Sequence, residues 1–529
     1  MSSARIPIKT RLRHWRLARV PFPSVPFVSY FNEDPLLNGT VFAPELRQQQ
    51  LEQLRTEVLG NGWPDAVKRW SWVWAHKRIG GSLGMGKSAL LGYVTDQINS
   101  NFGSSFFHRA APWLAVYVRV SEKTRSSAQV LATALASIYD DRHGVSVERR
   151  LVGRLRHRVV ALNAPHTYPS ELSAEPETRF ADDQWLEGRG VQLEALNKRV
   201  ADVLRREGVR AAVADAFAGC ALRDLVAAYQ DDAESHSFKS AYAKEAFSLV
   251  LNDVAKLARA ADLLHVTLIL DDFYFLVKNT KPAGREALAL EWREIVVDGD
   301  SKAAKGNVFN WVAVMHTRTA GNFNQAWENA SMHNVAPLFV KAGEIIERPG
   351  VHLQALPKES GRRLLESYIS FSRTGRAPSS IHPFTEDAIT YILEYAQRKG
   401  QEQEGKYDPR SLLETARAVF VHALFDASER AEIDLGFARH VLEGIPLPAP
   451  AQSTSLDAIE AADEAAVTPS ERRTPIDVVC DCTCHAEEGT PANDLVAVVA
   501  GEADERTPES VIGYRCLRCN SPVPMVGEL

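Results

Sequence analysis

The most distinctive chemistry in this sequence belongs to residues 81–88, whose sequence Gly-Ser-Leu-Gly-Met-Gly-Lys-Ser fits the pattern G-x-x-x-x-G-K-[ST]. Glycines let such a loop turn tightly, so that consecutive backbone N–H groups and the start of the next helix surround a polyphosphate. The pattern predicts that Lys87 contacts the β- and γ-phosphates and that the Ser88 hydroxyl binds Mg²⁺. A glycine-rich turn that matches by chance is the alternative. The predicted nucleotide-binding residues are Gly81, Ser82, Leu83, Gly84, Met85, Gly86, Lys87, Ser88 and Ala89.

Two adjacent acids end a second informative run, Val-Thr-Leu-Ile-Leu-Asp-Asp at residues 266–272. A continuous apolar run that ends in acids is typical of a buried parallel strand whose carboxyl end enters a ligand crevice. We therefore expect Asp271 to bind Mg²⁺, directly or through water, and Asp272 to polarise the attacking water. The alternative is an apolar strand that happens to end in acids.

Polar residues also follow the apolar run Trp-Val-Ala-Val-Met at residues 311–315. Because ligands in open α/β sheets bind beyond the carboxyl ends of the strands, we expect His316, Thr317 and Arg318 to face the γ-phosphate.

An arginine at the start of a later helix is the last candidate for chemistry. Asp408 followed by Pro409 is typical of an N-cap and a first helical residue, and Arg410 lies in the first turn. The helix dipole disfavours a cation at that end, so this placement favours an anionic partner for Arg410. A surface arginine is the alternative.

These residues need a parallel sheet to bring them together. The pattern predicts five strands, at residues 70–74, 113–120, 266–272, 311–315 and 351–356. About 145 residues separate the second strand from the third, far more than one connection needs, and we interpret about 142–240 as a helical insertion that either grips a partner or elaborates the packing. Three helices are predicted in residues 358–445.

Composition narrows the class of protein. A chain of 529 residues needs two to four domains, and 45% hydrophobic with 24% charged residues is ordinary. No apolar stretch reaches the roughly 18 residues of a membrane span, so no membrane contact is predicted. Residues 1–32 carry six basic residues and no acid. We interpret them as a basic arm that is a transit peptide, a contact for an anionic polymer, or a disordered tail.

The cysteines are concentrated at the C-terminus, where five of the six lie after residue 479. This distribution does not resemble a disulfide framework, so a reducing, cytoplasmic location is expected. We favour one structural Zn²⁺ held by Cys516, Cys519 and two residues of the earlier cluster. An oxidisable, mostly disordered tail is the alternative, and redox chemistry a more remote one. The six candidate ligands, of which four would bind, are Cys480, Cys482, Cys484, His485, Cys516 and Cys519.

The predicted organisation has five parts. They are a basic N-terminal arm (1–32), an ATPase core with the insertion (33–356), a helical lid (357–445), a linker (446–475) and a small Cys-rich module (476–529).

With these motifs in this order, the chain resembles an AAA+ ATPase, and it looks most like the origin-recognition branch and its signal-transducing relatives, the STAND ATPases. The resemblance spans residues 36–445. It implies an α/β fold with the parallel sheet of a P-loop NTPase, a helical lid, and a nucleotide between them. Thr317 or Arg318 would be the first sensor, and Arg410 the lid arginine that senses the γ-phosphate. The catalytic and sensing residues that the resemblance implies are Lys87, Asp271, Asp272, Thr317, Arg318 and Arg410.

The sequence also departs from that pattern. Many AAA+ enzymes have Asp-Glu where this chain has Asp271 and Asp272, and the shorter side chain also suits a slow switch. Arg348 is only a candidate for an arginine that reaches a neighbour's site, so a homo-oligomer stays open. No winged-helix segment follows the lid.

Three functions are consistent with these residues. The first is an ATP- and Mg²⁺-dependent switch or remodeller that hydrolyses ATP and acts on a protein partner. The second is a DNA-associated ATPase of replication, transposition or defence, which would use the basic arm or the insertion. The third is a nucleotide-gated scaffold that does not hydrolyse ATP.

Overall fold

The structure is a computed structural model, and its description covers most of the chain up to residue 445 and three strands beyond it. The described residues are 7–24, 28, 30–63, 65, 69–75, 86–110, 112–140, 145–227, 249–278, 280–299, 308–333, 335–341, 344–347, 350–353, 356–399, 406–407, 409–426, 430–445, 495–499, 511–516 and 522–523.

Five parallel strands form the central sheet, in the order β2 (Trp113–Arg119), β3 (His265–Asp271), β4 (Phe309–Met315), β1 (Trp70–Ala75) and β7 (Val351–Leu353). Every residue of β3 and β4 is buried, as expected for strands that are covered on both faces. The α/β class and the five predicted strands are confirmed, with strand ends that differ by one to three residues. The strands as far as the lid are β1 (Trp70–Ala75), β2 (Trp113–Arg119), β3 (His265–Asp271), β4 (Phe309–Met315), β5 (Leu338–Lys341), β6 (Glu344–Glu347), β7 (Val351–Leu353), β8 (Leu356–Pro357) and β9 (Lys406–Tyr407).

Helices surround this sheet, and several begin at a side chain that accepts a backbone N–H. Ser126, Ser146 and Asp182 each cap a helix in this way. The helices that precede the lid are α1 (Ile8–His14), α2 (Gln48–Gln53), α3 (Lys87–Ser100), α4 (Ser104–Phe107), α5 (Ser127–Tyr139), α6 (Val147–Asn163), α7 (Asp183–Gly188), α8 (Leu193–Arg206), α9 (Ala211–Ala218), α10 (Ala255–Ala260), α11 (Tyr274–Lys278), α12 (Pro282–Arg293) and α13 (Thr317–Asn329).

The two faces of the sheet bury different sets of side chains, because successive residues of a strand point to opposite faces. One face carries a tryptophan cluster that includes Trp70, Trp72 and Trp311, and the helices α6 to α9 of the predicted insertion share its apolar core. The opposite face, with Val73 and Tyr117, packs on α3. The described part of the insertion is helical, as predicted, and it packs directly on the core.

The lid contains four helices among its described residues, one more than predicted, because Asp434 caps a further short helix. They are α14 (Lys358–Phe371), α15 (Glu386–Lys399), α16 (Pro409–Phe425) and α17 (Leu435–Glu443). Asp434 caps α17 by accepting the Phe437 N–H at 2.8 Å. The predicted N-cap of α16, Asp408, lies outside the described residues.

The N-terminal residues 7–24 are part of the lid core. Trp15 and Phe22 are fully buried there and pack edge-on against Phe420 of α16. Arg11 is also buried, and its guanidinium donates to the backbone carbonyls of Ala423, at 2.7 Å, and Leu424, at 3.1 Å. A basic residue of the predicted arm therefore holds the end of a lid helix. The predicted domain boundaries remain predictions.

Three short antiparallel strands are described near the C-terminus, namely β10 (Leu495–Val499), β11 (Val511–Cys516) and β12 (Pro522–Val523). Of the six predicted Zn²⁺ ligands, only Cys516 lies in them, and its backbone alone is described; the others fall outside the described residues. Within the described part of the chain, no group of three or more His, Cys, Asp or Glu side chains could hold a metal. The zinc site stays a prediction.

None of the described helices is both long enough and apolar enough to cross a membrane.

Candidate functional site

A pocket lies where the sheet, the lid and the N-terminal segment meet, and the N-terminal segment is the described part of residues 7–47. The core side is formed by residues 86–89 and Asp272, and the lid side includes Tyr368, Arg410 and Leu413. The N-terminal segment closes the pocket with Val28, Val41, Phe42, Ala43, Leu46 and Arg47. Apolar groups and a few charged groups thus line one cleft, which is the usual composition of a small-molecule site.

Lys87 enters this pocket from the first turn of α3. The residue before it, Gly86, has φ +80°, a left-handed conformation that glycine adopts at little cost. Lys87 is only 6% exposed, so its ammonium group is largely withdrawn from water. An amine held at a helix N-terminus inside a cleft favours an anionic ligand.

The two acids lie at the carboxyl end of β3, as predicted. Asp271 and Asp272 are 2% and 8% exposed. The Asp271 Oδ1 atom accepts a hydrogen bond from the Asp272 N–H at 2.9 Å. The Asp271 Oδ2 atom accepts a hydrogen bond from the hydroxyl of Tyr117, which lies in the neighbouring strand β2. Asp272 has φ +56°, an unusual backbone conformation for a non-glycine residue. Such strain often occurs at functional sites, where the surrounding structure holds the residue in place.

The Asp272 carboxyl is poised to change charge near neutral pH. Burial is the main cause that raises its pKa to about 7, and the negative charge of Asp271 adds to the effect. Lys87, Arg119 and Arg410 act in the opposite direction, as positive charges near the carboxylate. The carboxyl therefore responds to cations from the phosphate loop, from β2 and from the lid.

His316 follows β4 and lies against Tyr274, with ring centroids 3.8 Å apart. Burial, with the charges of Lys87 and Lys278, lowers the pKa of His316 to about 3, so this imidazole is neutral at physiological pH. Thr317 and Arg318 begin α13. Their side chains are outside the described residues, so their role as a sensor stays a prediction.

Arg410 reaches the pocket from the first turn of α16, which brings the lid arginine within the electrostatic range of Asp272. Arg47 also lines the pocket and is only 5% exposed; burial lowers its pKa to about 10. Three basic side chains, Arg47, Lys87 and Arg410, and one acidic side chain are thus found among the lining residues. This balance of charge suits a polyanion.

The structure brings together some of the predicted residues and leaves others outside its description. Gly86, Lys87, Ser88, Ala89, Asp272 and Arg410 line one pocket, and Asp271 adjoins it. Gly81, Ser82, Leu83, Gly84, Met85 and Arg348 are outside the described residues. Sequence reasoning missed Arg47 and Tyr117. Neither residue carried a local signal, because Arg47 belongs to no motif and Tyr117 resembles any other strand residue.

The side chains present fit ATP and Mg²⁺. Mg²⁺ prefers oxygen ligands. The buried carboxyl group of Asp271 and the hydroxyl group of Ser88 lie on either side of one group, since the Tyr117 hydroxyl donates to Asp271 and interacts with Ser88. The basic residues named above would meet the phosphates, while Val41, Phe42 and Leu413 offer apolar surface for a base.

No protein-family model and no curated protein matches this chain. It is similar to two solved structures of the ORC2 protein from Aeropyrum pernix, one in ADPNP–ADP complexes and one in the ADP form. Identity is 9% in both, and the TM-scores are 0.37 and 0.38. The matches cover 82% of this chain and 71% and 72% of the ORC2 chains. At that identity they assign no residue roles here.

Proposed function

We propose that this chain binds ATP with Mg²⁺ and hydrolyses it, as a molecular switch or remodeller that acts on a macromolecular partner. The observation that supports this most is the pocket itself, because its walls come from the phosphate loop, the lid and the N-terminal segment. A ligand that contacts all three would stabilise one arrangement of these parts over others.

Each charged residue has a distinct role in the proposal. Lys87 neutralises the β- and γ-phosphates, and the backbone N–H groups at the start of α3 add hydrogen bonds. Ser88 and Asp271 would hold Mg²⁺, which when bound supplies further neutralisation of phosphate charge. Asp272, once ionised, orients a water molecule for attack on the γ-phosphate.

Arg410 links the chemistry to movement. It is the lining cation that belongs to the lid, and it would interact with the γ-phosphate while Lys87 holds the phosphates from the core. Loss of the γ-phosphate would remove an anionic partner of Arg410 and weaken the contact between lid and core. Because residues 7–24 share the lid core, the same change would reach the N-terminal segment.

The test is ATP binding and steady-state hydrolysis by the purified chain, with Lys87→Ala and Asp272→Asn as variants and with double-stranded DNA present or absent. We expect tight ATP binding, turnover that Asp272→Asn removes, and binding that Lys87→Ala weakens. Failure to bind ATP contradicts the proposal. Binding without turnover in any condition overturns hydrolysis and leaves a nucleotide-gated scaffold.

The DNA arm of the test separates the two classes of partner. The described insertion residues 145–227 contain thirteen Lys and Arg and twelve Asp and Glu, so their net charge gives little attraction for phosphates. We therefore expect no stimulation by DNA. Stimulation that falls steeply with added salt would instead assign the DNA-associated function.

A further inference from the structure

We propose that Tyr117 is a positioning residue for Mg²⁺, because its hydroxyl holds Ser88 and Asp271 in the orientation in which their oxygen atoms can bind the metal. The inference rests on the proposed function, since it concerns the two residues that would hold Mg²⁺ with ATP.

The Tyr117 hydroxyl stands between the two residues. It donates a hydrogen bond to Asp271 Oδ2, and Ser88 interacts with the same hydroxyl. A phenol has a single hydrogen, which Tyr117 gives to Asp271, so Ser88 is the donor to the phenol oxygen. The order of hydrogen bonds is therefore from the Ser88 hydroxyl to the Tyr117 hydroxyl and from there to Asp271.

This order leaves the metal-binding lone pairs available. A serine hydroxyl binds a cation through its oxygen, so its hydrogen must point elsewhere, and here Tyr117 accepts it. Each Asp271 oxygen accepts one hydrogen bond, from Tyr117 or from the Asp272 N–H, and each keeps a second lone pair. Partners of this kind orient metal ligands and contribute to metal affinity.

The phenol ring is held firmly enough for this role. Tyr117 is buried, and Tyr30 stacks on it with centroids 4.6 Å apart and an interplanar angle of 24°. Phe31 packs edge-on against the same ring at 5.9 Å.

The test compares ATP binding in excess Mg²⁺ and in EDTA for the parent and for Tyr117→Phe, by calorimetry. Loss of a residue that orients metal ligands typically lowers metal affinity about 10- to 100-fold. We expect the Mg²⁺ concentration needed for half-maximal strengthening of ATP binding to rise at least about tenfold. ATP affinity in EDTA should stay within about twofold of the parent, because the phosphate-binding groups are unchanged.

Tyr30→Phe is the matched control. It deletes the same hydroxyl from the ring stacked on Tyr117, and its hydrogen bond goes to Asp96, outside the pocket. We expect its Mg²⁺ dependence to equal that of the parent. Both measurements use one preparation, so a lower folded fraction in Tyr117→Phe cancels from the ratio of the two affinities.

Electron paramagnetic resonance of free Mn²⁺, titrated with the protein and ADP, gives a readout that needs neither Mg²⁺ nor turnover. We expect weaker Mn²⁺ binding in Tyr117→Phe alone. A parent that binds ATP with a clear Mg²⁺ dependence, and a Tyr117→Phe variant with the same dependence, overturns the positioning role and leaves the proposed function standing. A parent that does not bind ATP contradicts the proposed function itself.

Discussion

The two walls of the pocket are built in different ways. The core wall consists of residues 86–89 and Asp272, which sit at the start of one helix and the end of one strand of a single sheet. The opposite wall gathers Arg47, Tyr368, Arg410 and other side chains from three separate segments. The core wall can therefore keep its geometry in the absence of ligand, whereas the opposite wall depends on how the lid and the N-terminal segment pack on the core.

Because of this difference, we expect the two walls to affect nucleotide binding in different ways. Groups on the core wall should set whether a nucleotide binds at all. On the opposite wall, Arg410 of the lid should set which nucleotide is preferred and what its hydrolysis does to the lid, whereas Arg47 should support ATP and ADP alike. A core-wall variant that changes only the preference between ATP and ADP would contradict this comparison, and so would an Arg410 variant that weakens both nucleotides equally.

The largest effect is expected from Lys87→Ala, on the core wall. Removing one partner of a buried charge pair costs roughly 2–5 kcal/mol, so the Kd for ATP should rise at least about 30-fold. ADP binding should suffer in the same way, because Lys87 is proposed to contact the β-phosphate as well. Titration calorimetry with both nucleotides measures this. Lys198→Ala, an exposed lysine of α8, is the control and should bind like the parent.

Arg410→Ala should change the selectivity of the pocket between ATP and ADP. A hydrogen bond to a charged group contributes about 1.5–3 kcal/mol, so ATP affinity should fall about 10- to 100-fold while ADP affinity changes little. The measurement is the ratio of ATP to ADP affinities, together with the hydrolysis rate. Arg363→Ala removes an exposed arginine of the lid helix α14 and should leave the ratio as it was. Equal losses for ATP and ADP would show that Arg410 does not sense the γ-phosphate.

Arg47→Ala should weaken both nucleotides by about tenfold, which corresponds to about 1.4 kcal/mol. Arg47 belongs to the N-terminal segment and approaches the pocket beside the apolar residues Phe42, Ala43 and Leu46, so its partner is expected to be a part common to ATP and ADP. The rise in melting temperature on adding ATP and the rise on adding ADP should both become smaller, by similar amounts. A loss of affinity restricted to ATP would instead show that Arg47, like Arg410, interacts with the γ-phosphate.

The smallest effect is a pH dependence of stability. The Asp272 pKa is about 7 in the folded chain and lower when unfolded, so between about pH 4 and 7 the folded state binds the extra proton. The free energy of unfolding should therefore fall as pH rises through this window. Asp272→Asn should melt higher than the parent at pH 8, by about 2–4 °C for each kcal/mol gained, and the difference should shrink towards pH 5.

Glu148→Gln provides the control for that measurement. Burial also raises the pKa of Glu148 to about 7, although this carboxylate lies in α6 and accepts the Leu222 N–H at 2.9 Å. It should show a similar pH dependence of stability with unchanged hydrolysis. Loss of hydrolysis in Glu148→Gln would contradict the assignment of the chemistry to Asp272.

The sequence predicted the core wall because its signals are local. Strands β2, β3 and β4 are continuous apolar runs, which is what burial on both faces of a parallel sheet requires. The phosphate-loop pattern predicted that Lys87 lies at the start of a helix. The acids come directly after the apolar run of β3, so they had to lie at the carboxyl end of that strand. The predicted strand ends were less accurate. Strand β4, for example, begins at Phe309, two residues before the predicted start, and the hydrophobic pattern gave no signal for where it begins.

The N-terminal segment shows what local patterns miss. Residues 7–24 were interpreted by their basic charge, yet Trp15 and Phe22 are buried in the lid core. Two large aromatic side chains in a basic stretch were a signal of burial that charge counting ignores. Nothing in the sequence indicated that they would pack on a helix almost 400 residues away.

By itself the sequence determined the strands, the helix start at Lys87 and the position of the two acids, because hydrophobic pattern and glycine placement act within a few residues. The tertiary structure decided that Arg47 and Arg410 share a pocket with Lys87, that Tyr117 bridges Ser88 and Asp271, and that burial raises the pKa of Asp272. These properties depend on distance and desolvation between segments that are far apart in the chain. Only the packing of the lid and the N-terminal segment on the sheet sets those two quantities.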